Sequence, residues 1–306
     1  GSGKSTLLKT LCYPAIKQAL FDAKNTLYRG CTLSGDINKI KEIELIDQNP
    51  IGKSSRSNPI TYLKIFDEIR DLYARQPLAK NRNYKPGFFS FNVEGGRCDA
   101  CDGEGIVTIG MQFMADIQLT CETCQGTRFK DETLEIVYRQ KSIADLLEMT
   151  LADLSSFFHE SSDKKEKHIA SMIQPLLDVG LGYLRAGQAS STLSGGEAQR
   201  IKLASFLAKG NNQAPTLFLF DEPSTGLHYY DIEKLLQSFQ ALIANGHSIV
   251  VIEHNLDIIK TADHVIDIGP EGGEGGGKIV FTGTPEDLVT RTDNYTGIAL
   301  AEKGLN

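Results

Sequence analysis

The chain has 306 residues, 41% of them hydrophobic, and a net charge of -7, so it can bury a large core as one big domain or two smaller ones. The acidic average argues against non-specific coating of nucleic acid, without excluding a local basic patch. The longest apolar stretches, near 217–220 and 249–252, are too short to span a bilayer. No membrane partner is expected, and six cysteines with no secretory segment point to a reducing, cytoplasmic setting.

Residues 1–20 read as a phosphate loop, Gly1-Ser2-Gly3-Lys4-Ser5-Thr6, running into a helix. The first glycine of the usual pattern and the strand before it are missing, so the chain reads as a fragment of a longer protein. Ile43, Leu45 and Ile46 predict a strand that ends in Asp47-Gln48-Asn49-Pro50, followed by a polar loop over 52–59. Tyr62, Ile65, Phe66, Ile69 and Tyr73 recur at helical spacing and predict one amphipathic helix over 60–75. A basic, Pro- and Gly-punctuated stretch over 77–93 leads into a cysteine module over 95–127. Residues 133–138 read as a short strand, and helices follow over 141–149, 151–158 and 164–178. The charge run 163–167 reads as a solvated helix start.

A helix over 194–209, a strand over 216–221, a helix over 229–244 and a buried strand Ile249-Val250-Val251-Ile252 come next. A short helix over 255–261, a strand over 264–268, a glycine run over 272–277 and a second strand over 278–281 make a hairpin-like pair. A helix over 285–291 opens with Pro at its first position after a Thr cap, and the last ten residues read as frayed. The alternation from 194 to 281 predicts an α/β fold with a largely parallel sheet covered by helices.

Several strand ends and turns carry chemistry. Lys4 suits the β- and γ-phosphates of a nucleoside triphosphate, and the Ser5 hydroxyl suits its Mg²⁺. Asp221 follows four apolar residues at a strand end, where its carboxylate would share the Mg²⁺ shell. Glu222, one residue on, is the candidate general base. His254 ends the next strand within expected reach of a γ-phosphate oxygen, the alternative being a purely structural histidine. Gln48, on another strand end, would sense Mg²⁺ or the attacking water. Ser194-Gly195-Gly196 opens a helix with bare N–H groups, a second anion-binding terminus, with Glu197 placed for a capping box. One triphosphate does not need both termini of the same domain, so a head-to-tail pair of domains would lend this loop to a partner's nucleotide.

Cys98-x2-Cys101-x19-Cys121-x2-Cys124 offers four thiolates in two close pairs, each with a glycine (Gly103, Gly126) two residues after its second cysteine. Four thiolates select a structural Zn²⁺, an iron–sulfur cluster being the alternative. A hairpin between the pairs, over 106–109 and 116–119, would carry Met111, Phe113 and Met114 as a small core around the metal. Arg97, Arg128 and Lys130, with Lys53, Arg56, Lys80, Arg82 and Lys85, would make either a phosphate-contacting face or an ordinary solvated surface.

Together these motifs carry a resemblance. Leu193-Ser194-Gly195-Gly196-Glu197-Ala198-Gln199-Arg200 resembles the signature of ABC-type ATPases, and Asp221-Glu222-Pro223-Ser224-Thr225-Gly226-Leu227-His228 resembles their carboxylate strand and following turn. Glu253-His254-Asn255-Leu256-Asp257, Ile268-Gly269-Pro270-Glu271-Gly272-Gly273 and Arg56-Ser57-Asn58-Pro59 narrow the resemblance, over nearly the whole chain, to the C-terminal ATPase half of the UvrA family. The fold this implies is an ABC-type P-loop NTPase domain with a helical signature region and an inserted four-cysteine zinc module. The implied divisions are 1–76 and 194–306 for the ATPase core, 77–132 for the zinc insertion and 133–193 for the helical region.

The resemblance further implies ATP, Mg²⁺ and Zn²⁺ as cofactors, with Gly1, Gly3, Lys4, Ser5, Thr6 and Asp221 on the nucleotide. Gln48 would be the glutamine-loop residue, His254 the switch histidine, and Ser194, Gly195 and Gly196 would serve the nucleotide of a second ABC half. Its implied partners are that second half, a homodimer mate, duplex DNA and a UvrB-type helicase, in recognition of damaged DNA during nucleotide excision repair. The isolated chain is expected to hydrolyse ATP weakly or not at all. Phe88 and Glu94 stand where the family commonly has basic residues, and Phe206 where it has a carboxylate. These departures keep open a diverged paralogue or another soluble ABC ATPase outside repair.

Overall fold

The computed structural model describes residues 2–21, 27–28, 30–52, 56–111, 116–210 and 214–304. The chain divides into two compact units, Gly1–Gln48 with Lys209–Asn306, and Asn49–Ala208.

The first unit is built on three parallel strands, with Thr216–Asp221 between Glu42–Ile46 and Ser248–Ile252. The central strand is apolar at successive positions because both its faces are covered. Leu217 and Leu219 pack with Ile43, Ile252 and Leu8 of the helix that follows the phosphate loop. On the other face Phe220 meets Phe239 of the helix Tyr229–Ala244 at 4.8 Å between ring centres. The outer strand Ser248–Ile252 is less buried than its composition predicts: only Ile252 is buried, because this strand has a strand neighbour on one side only among the described residues. Val265–Gly269 and Lys278–Gly283 form a separate antiparallel pair, as the glycine run between them predicts. Of the last ten residues, expected to fray, 297–302 belong to the helix Tyr295–Glu302, and 305–306 lie outside the described residues. Asn294 caps it by accepting from the Gly297 N–H, and both Asn294 and Thr296 donate to Asp267, which ties its start to the antiparallel pair.

The second unit is largely helical. The single helix expected over 60–75 is two, Pro59–Tyr62 and Ile65–Ala74. Lys64 takes a left-handed φ of 61° between them, so Tyr62 turns outward while Ile65, Phe66, Ile69 and Tyr73 stay buried. Periodicity does not register one left-handed residue, because the apolar spacing survives the bend. Of the strand expected over 133–138, only Val137–Tyr138 forms. Asp131–Leu134 is a helical turn, favoured by Asp131 and Glu132 at its start. Val137–Tyr138 then pairs with Lys141–Ser142 through Arg139 and Gln140, both at positive φ, the geometry of a tight hairpin.

Helices Ile143–Glu148, Leu151–His159 and Lys164–Asp178 follow close to the predicted bounds. The charge run at 163–167 is not wholly solvated. Asp163 caps the helix, but Glu166 is buried, accepting from the Tyr138 hydroxyl at 2.5 Å and the Ser161 hydroxyl at 2.7 Å, beside Arg139 at 3.4 Å. Phe88, one of the departures from the resemblance, stacks on Tyr84 at 3.7 Å, so packing accounts for it.

Candidate nucleotide and metal sites

The strand register assembles one site in the first unit. Ile46 pairs with Phe220, and Asp221 pairs with Ile252, so the chain leaves all three parallel strands at the same edge. Gln48, Asp221, Glu222 and His254 therefore emerge together, at the C-terminal ends of the strands, where open α/β sheets take their ligands. Ser5 donates to Asp221 Oδ1 at 3.2 Å, which joins the phosphate loop to the central strand. Asp221 Oδ2 also holds the Lys9 ammonium at 2.5 Å. Lys4 donates to the Ser2 hydroxyl at 2.8 Å, and Gly3 holds φ 97° as its carbonyl accepts from the Leu7 N–H. Thr6 opens a π-helical segment, Thr6–Cys12, before the α-helix Tyr13–Phe21; such wide turns recur at functional sites. Gly1 lies outside the described residues.

Glu222 occupies the left-handed region at φ 49°, fixed there by its N–H donating to the Ile252 carbonyl at 2.9 Å. A non-glycine residue held in this region stores about 1–3 kcal/mol, and such strain gathers at functional sites. The turn aims Glu222 Oε1 to within 3.3 Å of His254 Nε2. Two supports have no sequence reading. Glu253 accepts from Ser224 through both N–H and hydroxyl and from the His254 and Asn255 N–H groups, stapling the turn after the carboxylates to the end of the neighbouring strand. The Gly277 N–H donates to the Ser2 carbonyl at 3.0 Å, and a Cβ on Gly276 would lie 3.2 Å from Ser2 Cα, so the glycine run leans on the phosphate loop. A carboxylate next to a chemistry-bearing histidine was the available signal for Glu253; nothing local marks the glycine contact.

The donor set fits a magnesium nucleotide. Ser5 Oγ and Asp221 Oδ1 stand 3.2 Å apart, close to the roughly 3 Å between adjacent ligands of an octahedral ion with bonds of about 2.0–2.1 Å.

The signature helix Gly195–Leu207 belongs to the second unit. Ser194 and Glu197 form the expected capping box: the Glu197 N–H reaches the Ser194 hydroxyl, and the Ser194 N–H reaches the Glu197 carboxylate. Tyr183, unread in the sequence, donates to the other oxygen of Glu197 at 2.7 Å. That bond and burial hold the Tyr183 phenol up at about 12, burial being the larger cause.

The second unit also holds the four cysteines, buried and with their sulfurs within 4.8 Å of one another. Cys98 and Cys121 are 4.0 Å apart and Cys101 and Cys124 3.7 Å, near the roughly 3.8 Å expected between ligands of a tetrahedral ion with bonds of about 2.3 Å. Both knuckles turn the same way: Asp102 and Gly103 at φ 51° and 79°, Gln125 and Gly126 at φ 50° and 87°. The turn lets the Gly105 N–H donate to Cys101 Sγ at 3.2 Å. Burial still raises the Cys101 thiol, while the Cys124 N–H, the largest cause, lowers Cys121. A Cβ on Gly103 would sit 2.1 Å from the Phe91 carbonyl oxygen. Gly103→Ala is expected to cost about 2–4 kcal/mol of local stability, read as faster metal loss to a chelator than from the unaltered protein.

The hairpin between the pairs forms, Ile106–Ile109 against Ile117–Thr120. Its apolar side chains do not close over the metal site as expected. Val107 pairs with Leu119 and Ile109 with Ile117, and all four are exposed, as is Met111. The cysteines themselves make the buried cluster. Phe113 and Met114 lie outside the described residues.

The basic residues divide. Lys80 and Lys85 are exposed. Arg82 pairs with Glu135, Arg97 with Asp102 and Lys130 with Asp99, while Arg56 donates to the Asp102 carbonyl. Arg128 turns inward over the Phe91 ring and donates to the Gly187 carbonyl, and desolvation lowers its guanidinium pKa. Lys53 lies outside the described residues.

No family model matches the chain. It is 50% identical over 297 residues to the UvrABC system protein A of Staphylococcus epidermidis, 50% over 303 to that of Aquifex aeolicus and 51% over 297 to that of Bacillus subtilis. Each match takes 97% of this chain, which spans 31%, 31% and 30% of these relatives, under a third of their length. The crystal structure of UvrA2 from Deinococcus radiodurans matches 99% of the chain with a TM-score of 0.87 at 41% identity, over 35% of that protein. No helix among the described residues is long and apolar enough to cross a membrane.

Proposed function

We propose that this chain, which belongs to the UvrA family by its match along 97% of its length, is an ATP-binding and ATP-hydrolysing part of a DNA-repair ATPase. The observation that carries this reading is the meeting of the phosphate loop, Asp221, Glu222 and His254 at one sheet edge. Gly3, Lys4, Ser5 and Thr6 cradle the phosphates, and Ser5 with Asp221 holds Mg²⁺. The ion, when bound, neutralises charge on the phosphates. Glu222 takes a proton from the attacking water. His254 orients Glu222 and the γ-phosphate, and Gln48 lines the same edge. Ser194, Gly195 and Gly196 serve the nucleotide of a second ABC half, whose helix-terminus N–H groups complete the anion cage.

The four cysteines hold structural Zn²⁺. Arg56, Lys80, Arg82, Lys85, Arg97 and Lys130 make the DNA face, with Arg128 fastening the zinc module from within. The division follows 1–76 and 194–306 for the core, 77–132 for the zinc insertion and 133–193 for the helical region. The whole protein works in the cytoplasm as a homodimer that recognises damaged duplex DNA through shape and deformability and loads a UvrB-type helicase. The isolated chain, without its second half, turns over ATP weakly or not at all.

ATPase assays on the full-length protein with and without duplex DNA test this. Turnover that changes with DNA, together with salt-sensitive DNA binding, is the expected result. DNA-independent turnover with no DNA binding would instead assign the chain to an ABC ATPase outside repair.

A further inference from the structure

The ion pair between Lys9 and Asp221 has no part in the nucleotide chemistry above. Lys9 lies four residues after Ser5, on the same side of the helical segment, so both reach one carboxylate: Ser5 takes Oδ1 at 3.2 Å and Lys9 takes Oδ2 at 2.5 Å. The Asp221 side chain is only 14% exposed, whereas Lys9 is 38% exposed. A carboxylate so enclosed needs a counter-charge. Lys4 does not supply it, since its ammonium is engaged with the Ser2 hydroxyl at 2.8 Å.

We propose that Lys9 is a built-in counter-cation of Asp221 that competes with Mg²⁺, so that Lys9 sets the Mg²⁺ concentration at which the nucleotide site loads. This rests on the reading of Ser5 and Asp221 as the Mg²⁺ ligands. Without the ion, Lys9 neutralises Asp221 and keeps its carboxylate against Ser5. When a divalent ion arrives at Oδ1, a like charge already sits at Oδ2 of the same group, and the two repel across a few ångströms in a half-buried setting. The ammonium then withdraws toward solvent on its flexible stem, which its exposure permits. The device acts on the metal's threshold, and Lys9 touches no reacting atom.

Binding of a fluorescent ATP analogue to the full-length protein, titrated with Mg²⁺ at fixed nucleotide, tests the proposal without measuring turnover. Lys9→Met, which keeps length and removes charge, is expected to lower the Mg²⁺ midpoint by about fivefold, the scale of one partly exposed ion pair. Lys9→Arg, which keeps the charge, is expected to stay within about twofold of the unaltered protein. An unchanged or raised midpoint in Lys9→Met, with its thermal unfolding unaltered, would overturn the competition and leave the nucleotide site as described. Absence of Mg²⁺-dependent nucleotide binding in the unaltered protein would overturn both the competition and the reading of Ser5 and Asp221.

Discussion

Glu222→Gln in the full-length protein is expected to lower ATP turnover by about 10²–10⁴-fold while ATP binding stays within about twofold. The amide preserves the size and the left-handed backbone of Glu222, and the N–H bond to the Ile252 carbonyl does not involve the side chain. What it removes is the carboxylate's capacity to accept a proton at the sheet edge. The phosphate loop and Asp221 are untouched, so binding and hydrolysis separate. Equal loss of both would mean that Glu222 holds the nucleotide rather than activates water. Turnover close to that of the unaltered protein would remove its role altogether.

Emptying the proposed zinc site is expected to be the larger structural change. Structural zinc sites of this kind supply roughly 10–16 kcal/mol of apparent binding free energy at neutral pH, more than most domains hold in total. The hairpin Ile106–Ile109 with Ile117–Thr120 leaves its apolar side chains exposed, and the buried cluster of the module is the cysteines themselves. Apart from the cysteines, backbone bonds join the two knuckles, the Cys98 N–H to the Arg128 carbonyl at 2.9 Å and the Cys121 N–H to the Gly105 carbonyl at 3.0 Å, and these are few beside a metal bound by four thiolates. Cys121→Ser, or chelation of the native protein, is therefore expected to release the metal and open residues near 98–128 to protease, while the first compact unit keeps its thermal transition. Retention of a protease-resistant module after complete metal loss, measured by elemental analysis, would show that packing alone sustains it. Phe91, which contacts Phe66 at 5.0 Å and Phe129 at 6.2 Å, is the packing such a result would implicate.

The residues of both candidate sites could be picked out in the sequence because each group is marked by residue type at short spacing. A phosphate loop, two acids after an apolar strand, and paired C-x-x-C turns each act over a few residues, and backbone geometry makes such local spacing nearly equivalent to position. The parallel strands Glu42–Ile46, Thr216–Asp221 and Ser248–Ile252 were legible for the same reason.

Where local pattern and tertiary setting conflict, the tertiary setting decided. One left-handed residue, Lys64, broke a helix that periodicity read as continuous, and a single-sided edge left the 248–252 strand half exposed despite its composition. Glu166, read as solvated from its charged neighbours, is buried because Tyr138 comes to it from a distant hairpin while Ser161 closes on it from just before its own helix.

By itself the sequence determined which groups can do chemistry and which backbone segments can carry them. Only the tertiary structure decided which groups meet. Asp221 faces both Ser5 and Lys9 because the fold brings a strand end against a helix start 216 positions before it in the chain, and Glu253 reaches Ser224 from the end of the neighbouring strand. Such meetings depend on long-range contacts, whose energy comes from burying the sheet between two helical layers, and no short window of residues contains that information.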